Sequence, residues 1–383
     1  MPRKLLRRSA ALSVLLSVLL SVLLAGPAVA AEPSPAPAPA GPELLAPTVR
    51  TPVGTRTLDL VDRSRPDPWV PGAGPQELMV TLWYPAPLPR GRAAPYVSAE
   101  LSTAMIGSPA LATVRTHALA GAPAAPGPAR PLVVLSPGLG LGRAYLTTLG
   151  EELAARGYLV AAVDHRHEAP VQFADGRIEL CAICADPDGA AVTLSRAKDI
   201  RFLLDQLTAP GFGREFGLRV DRGRIGVAGH SIGGAAAVET LAEDGRVDAA
   251  VNLDGDFFTP PARGSVHRPV LLLGEQRAGG AEAGSSWPEY WPRLTGWRRW
   301  LDLPTAGHLS FSDFPYLVDA FGARGLYPPE VVAESFGSID STRAEAITRA
   351  YVVAFFDRHL RGGPSALLDR PSPGYPEVTF LRR

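Results

Sequence analysis

The tightest cluster of chemistry-bearing residues in the chain is the hexapeptide GHSIGG at 229–234, which spells G-x-S-x-G around Ser231. A serine hydroxyl becomes a useful nucleophile only when a base takes its proton and a carboxylate orients that base. In a chain with 39 glycines the string alone is a weak signal, so its flanks must decide. It follows the apolar run IGVA and leads directly into the small-residue segment IGGAAAVETLAED. Strand, sharp turn and helix are the context a nucleophile elbow needs, because its serine occupies a strained backbone position. Ser231 is therefore the candidate nucleophile, and the alternative of an ordinary glycine-rich turn is set aside.

Three histidines follow Ser231 and compete for the role of base. His359 stands in the last turn of a closing helix, where a cation complements the helix dipole. His267 precedes the strand-like PVLLLG and would fall at the wrong end of a parallel sheet. His308, in PTAGHLSFSDF, comes just after the last strand, at the carboxyl edge where open α/β sheets bind ligands. His308 is the candidate base. The orienting acid stays open on this reading. Asp254 ends the run VDAAVNLD and Glu275 ends PVLLLGE, and either can reach a histidine loop. Asp256 and Asp313 are further candidates, though carboxylates of this kind are usually solvated.

These residues need a scaffold, and the chain supplies one. From residue 130 onward, short apolar runs (RPLVVLSPG, YLVAAVDHR, RIGVAG, VDAAVNLDG, PVLLLGE, WLDLP) alternate with helical periods, among them AYLTTLGEELAARG, TLSRAKDIRFLLDQL and STRAEAITRAYVVAFFDRHL. Continuous apolar strands interleaved with helices predict an α/β fold, a mostly parallel central sheet with helices on both faces. Residues 55–86 alternate more strictly and predict antiparallel N-terminal edge strands. Irregular insertions at 90–128 and 168–190 defeat pattern reading.

The chain opens with a basic segment, an apolar core and the small residues Ala28-Val29-Ala30, which reads as a signal peptide over 1–31. The apolar core is shorter than the roughly 20 residues of a membrane span. A Pro/Ala-rich linker is expected over 32–50 and one catalytic domain over 51–383. Lys plus Arg and Asp plus Glu balance at 38 each, so nothing favours nucleic acid or an anionic membrane as partner. Export to an oxidising space favours a local disulfide between the only two cysteines, Cys181 and Cys184. The H-x-H of DHRHE at 164–168 reads as a solvated polar loop rather than a metal site. Four tryptophans within 285–300 read as an amphipathic helix packed on the sheet, with an acyl-chain wall as the alternative.

Taken in order, LVVLSPGLGLGRAYLTTLGEELAARGYLVAAVDHR, SRAKDIRFLLDQL, DRGRIGVAGHSIGGAAAVETL, NLDGDFF and AGHLSFSDF resemble the platelet-activating factor acetylhydrolase family. The resemblance covers about residues 76–361 and implies an α/β-hydrolase fold. It implies hydrolysis of short or oxidised acyl esters through an acyl-enzyme, without a cofactor or metal. It places the acid at Asp254 and the two oxyanion-hole amides at Leu139 and Ile232. The family commonly carries His-Gly where this chain has Pro137-Gly138, and proline has no N–H to donate. The expected partner is a small-molecule or lipid ester, with transient lipid-surface contact, and the chain is expected to be a secreted monomer. A lipase or cutinase-like polyester hydrolase is the alternative activity, and an inactive hydrolase-fold binding module the alternative of another class.

Overall fold

The computed structural model describes residues 41–259, 264–276 and 284–383. The signal-peptide expectation, and the linker expectation for 32–40, lie outside these residues. In chain order the strands and principal helices are β1 (Val53–Pro66), β2 (Pro75–Pro85), β3 (Ala93–Pro95), α1 (Ala99–Ile106), β4 (Arg115–Ala120), β5 (Arg130–Ser136), α2 (Thr147–Ala155) and β6 (Leu159–His165). A small hairpin of β7 (Val171–Gln172) and β8 (Ile178–Glu179) leads to α3 (Gly189–Thr208), β9 (Val220–His230), α4 (Ile232–Glu243) and β10 (Ala249–Leu253). The chain closes with β11 (Val270–Glu275), β12 (Arg298–Leu303), α5 (Phe314–Ala320), α6 (Ser341–Arg361) and β13 (Thr379–Arg382).

Eleven strands form one sheet in the order β13-β12-β11-β10-β9-β5-β6-β2-β1-β4-β3. Its centre, from β6 through β5, β9, β10 and β11 to β12, is parallel throughout. The N-terminal pair β1–β2 is antiparallel and joins β6 antiparallel, as the stricter alternation of residues 55–86 predicts. The pattern of β5 shows why the central runs are apolar at every position. Val133 and Leu135 enter one core layer with Leu149, Tyr351 and Phe355. Leu132 and Val134 enter the opposite layer with Ile200, Leu204 and Leu241. A strand buried on both faces has no solvent side to keep polar.

Two expectations need correction. Residues 41–50, grouped with the linker, lie on the domain: Leu44 is buried, its N–H donates to the Arg115 carbonyl, and Thr48 bonds the Glu152 carboxylate. The tryptophan-rich stretch is no long amphipathic helix. It forms a short helix at Trp287–Tyr290, a single turn at Trp291–Arg293, and then β12. Trp287, Trp291 and Trp300 are buried in the core against one another, so they form no acyl-chain wall.

Candidate active site

The site is built where β9 ends and α4 begins. Ser231 sits between them at φ 55° and ψ −130°, a conformation that costs a non-glycine residue about 1–3 kcal/mol. Packing enforces it. The Ser231 N–H donates to the Leu253 carbonyl at the end of β10 (2.8 Å), and the first turn of α4 presses onto the β5 end. A Cβ on Gly233 would lie 2.2 Å from the Ser136 carbonyl oxygen, so only glycine fits this crossing. Ser231 itself is 7% exposed.

Asp254 follows β10, also with positive φ (57°), and its N–H donates to the Leu273 carbonyl (3.0 Å). His308 begins a short 3-10 turn, His308–Phe311, after β12. Its Nδ1 lies 2.6 Å from Asp254 Oδ2 and its Nε2 lies 2.9 Å from Ser231 Oγ. A carboxylate only accepts, so Nδ1–H is the donor and Nε2 is left to accept from the serine hydroxyl. The three residues, taken from the ends of three different strands, thus form one directed relay.

The second candidate acid is close by. The Glu275 carboxylate stands with ligand atoms of Asp254 and His308 within 4.8 Å of one another. Its backbone N–H donates to Asp254 Oδ1 (3.0 Å), so Glu275 braces the very group it competes with. Trp287 fixes the same loop by donating its indole N–H to the Gly255 carbonyl (2.6 Å). The remaining candidates go elsewhere. Asp256 accepts from Ser286, and buried Asp313 accepts the Thr147 and Thr148 amides at the start of α2. His267 bonds Thr295. His359 is not the helix-end cation expected of it. Burial, aided by Arg358 and Arg299, lowers its pKa to about 4, and its ring lies against Trp297 and Phe355.

Leu139 lies in the loop after β5, beside the elbow, because Ser136 pairs with Gly229. Ile232 is the first residue of α4. Among the described residues neither N–H has an acceptor, which leaves both as donors for an oxyanion. Pro137 carries its loop by its carbonyl instead of an amide: that oxygen accepts from Arg196 Nη1. The Cys181–Cys184 pair is bonded.

The sequence missed several supports. DHRHE is buried, not solvated, from Asp164 through Glu168. His165 accepts from Ser136 Oγ through Nε2 (2.9 Å) and donates through Nδ1 to Asp199 (2.6 Å). This copies the first relay, but Ser136 and Asp199 are 0% exposed, so no ester reaches it. His230 is buried beside His308, with ring centroids 4.9 Å apart. Burial, and then the neighbouring His308, lower its pKa to about 3. A cavity of about 710 Å³ lies over Thr57, Thr81, Trp83 and Glu151, beneath residues of the 90–128 insertion; Asp164 lines it, and Ser231, Asp254 and His308 do not.

A parallel sheet with a strained serine at a strand-to-helix turn, and His and Asp on later strand ends, defines the α/β-hydrolase fold. Within it, the family model described as platelet-activating factor acetylhydrolase, isoform II, matches residues 75–174 and 214–362, and the chain belongs to that family. It is 29% identical over 275 residues to a probable 1-alkyl-2-acetylglycerophosphocholine esterase of Arthroderma benhamiae, covering 66% of each chain. It is 27% identical over 185 residues to a bis(hydroxyethyl) terephthalate hydrolase of Streptomyces coelicolor, covering 46% of this chain and 50% of that one. Among solved structures, a ferulic acid esterase from Streptomyces cinnamoneus is 60% identical, with a TM-score of 0.85, covering 90% of this chain and 100% of that chain.

Proposed function

We propose that the protein is a secreted serine carboxylic-ester hydrolase that works through an acyl-enzyme. The observation that carries this reading is the directed relay Ser231–His308–Asp254 beside the Leu139 and Ile232 amides, which have no acceptor among the described residues. Ser231 Oγ attacks the ester carbonyl carbon while His308 Nε2 takes the hydroxyl proton, and the carbonyl oxygen becomes an oxyanion held by the Leu139 and Ile232 N–H groups. The C–O bond to the alcohol breaks, and His308 returns the proton to the departing alkoxide. Water then repeats the sequence on the acyl-serine and releases the acid. Asp254 accepts the Nδ1–H throughout and stabilises the imidazolium.

The substrate in this reading is a soluble ester of a small acyl group, and the likeness to the ferulic acid esterase favours an aromatic one over a phospholipid. Trp287, Trp291 and Trp300 are buried, so these three indoles offer no exposed apolar surface to a lipid. The likeness to the terephthalate-ester hydrolase supports the second reading, activity on aromatic polyester fragments. Initial rates on methyl ferulate, 4-nitrophenyl acetate, a short-chain phosphatidylcholine and bis(hydroxyethyl) terephthalate distinguish these. A phospholipid preference of tenfold or more in kcat/KM would overturn the aromatic reading.

The mechanism is tested by Ser231→Ala, expected to lower kcat by several orders of magnitude with the fold intact. Wild-type protein that neither hydrolyses any of these esters nor reacts with a fluorophosphonate would instead be a binding module. For secretion, N-terminal sequencing of protein from culture supernatant is expected to begin near Ala31 or Glu32. A chain that still starts at Met1 in the membrane fraction contradicts it.

A further inference from the structure

An oxyanion donor is useful only if its peptide is held in one orientation, and the loop after β5 has no strand or helix of its own to do this. What lies beneath it is a buried ion pair. Arg196, on α3, is 1% exposed, and its Nε lies 2.6 Å from Oε2 of Glu168, which is 0% exposed. The rest of the guanidinium reaches the loop: Nη1 donates to the Pro137 carbonyl, and Nη2 to the Gly138 carbonyl at 3.5 Å. Glu168 holds the far side. Its backbone carbonyl accepts the Gly140 N–H (2.8 Å), while the Trp69 indole N–H fixes its other carboxylate oxygen (3.0 Å).

Two physical facts give this arrangement meaning. A buried ion pair is no more stabilising, as a rule, than apolar side chains of the same volume, so its place under a loop calls for a positional reason. The Gly138–Leu139 peptide is trans, so its N–H points opposite to its C=O. Drawing the Gly138 carbonyl toward Arg196 therefore turns the Leu139 N–H to the other side, and a donor on the carbonyl polarises the N–H as well.

We infer that Arg196, braced by Glu168, is a positioning residue that sets the orientation and donor strength of the Leu139 amide. Arg196 acts through the loop and touches no substrate. It lies between the two segments that the family model matches. The inference rests on the assignment of Leu139 as an oxyanion donor.

The test is Arg196→Lys in the full mature chain, which keeps the charge and loses the fork that grips two carbonyls. Because removal of one oxyanion donor costs roughly 10²–10³ in kcat, a loss approaching that size is expected, with KM changed by less than about threefold. Affinity for phenylboronic acid, which forms a tetrahedral adduct on the serine, falls in parallel, and the pH midpoint of kcat stays in place. Full kcat, or a loss that follows the folded fraction while boronate affinity is kept, overturns the inference. If Arg196→Lys does not fold, Glu168→Gln keeps the shape and the Gly140 contact; matched losses in kcat and boronate affinity support the inference, and unchanged values overturn it. Wild-type protein that hydrolyses no ester and binds no boronate sinks the functional reading itself, a result distinct from these.

Discussion

The Nε2 of His230 lies 2.7 Å from the backbone carbonyl oxygen of His308, so the residue before Ser231 holds the loop that carries the His308 ring. The carbonyl only accepts, which makes Nε2–H the donor and fixes the tautomer of a buried, neutral ring. His230→Phe keeps the planar bulk and removes the bond. One net hydrogen bond is worth about 1 kcal/mol, so kcat is expected to fall about fivefold with KM nearly unchanged. Steady-state kinetics on 4-nitrophenyl acetate check this, and an unaltered kcat would show that the loop is held without His230.

The same residue makes a pH prediction with a definite sign. Its pKa is lowered from 6.5 to about 3 in the fold, chiefly by burial, so the unfolded chain binds a proton more readily than the native one. Stability from the neutral ring is complete above pH 6.5 and is lost as pH falls toward 3. The stability gap between wild type and His230→Phe should therefore shift against the wild type by about 3 kcal/mol between pH 6.5 and 4. Paired guanidinium titrations at the two pH values measure it. A gap that does not move means the ring is solvated or charged.

The two carboxylates beside His308 have separable roles. Asp254→Asn removes the negative charge and puts an N–H donor in place of one carboxylate oxygen, which disfavours the Nδ1–H tautomer, and is expected to cost roughly 10⁴ in kcat. Glu275→Gln leaves its backbone bond to Asp254 in place and is expected to cost less than about tenfold. Reversed outcomes would move the acid to the end of β11.

The Cys181–Cys184 bond closes a loop with a sequence separation of 3, which constrains little of the unfolded chain. Replacing both by serine should lower stability by no more than about 2 kcal/mol. Because the bond lies outside the relay, kcat should stay within about twofold of wild type. A larger kinetic loss would mean that this excursion shapes the substrate site.

Gly233→Ala should be far more damaging than its chemistry suggests, since the new Cβ would sit 2.2 Å from the Ser136 carbonyl oxygen. Backbone cannot yield as a side-chain end can, and a loss of about 3 kcal/mol or more is expected. Gly245→Ala, with nothing within 4 Å of its Cβ, is the control and should stay within about 0.5 kcal/mol of wild type. Thermal melts of the two variants decide the matter.

The order of elements was legible in the sequence because strands buried on both faces leave unbroken apolar runs, and β5, β6, β9, β10 and β11 all do so. Ser231 was legible for a local reason as well: the elbow's steric demands fall on residues two or three positions away, so its glycines are written beside it. His308 could be chosen by its place after β12, the last of the parallel strands. Long-range pairing is different. Asp254 and Glu275 end adjacent parallel strands, and no local pattern says which carboxylate meets Nδ1; the positive φ of Asp254 and the packing of Trp287 decide it. The burial of DHRHE was equally invisible, because a charged string looks solvated until its partners are known. Those partners, Asp67, Asp199, Arg196 and Glu179, come from other parts of the chain. Sequence alone determined which residues can do chemistry, since that depends on side-chain type and near neighbours. Tertiary structure decided which of them meet, since a hydrogen bond depends on distance between atoms that the chain separates by tens of residues.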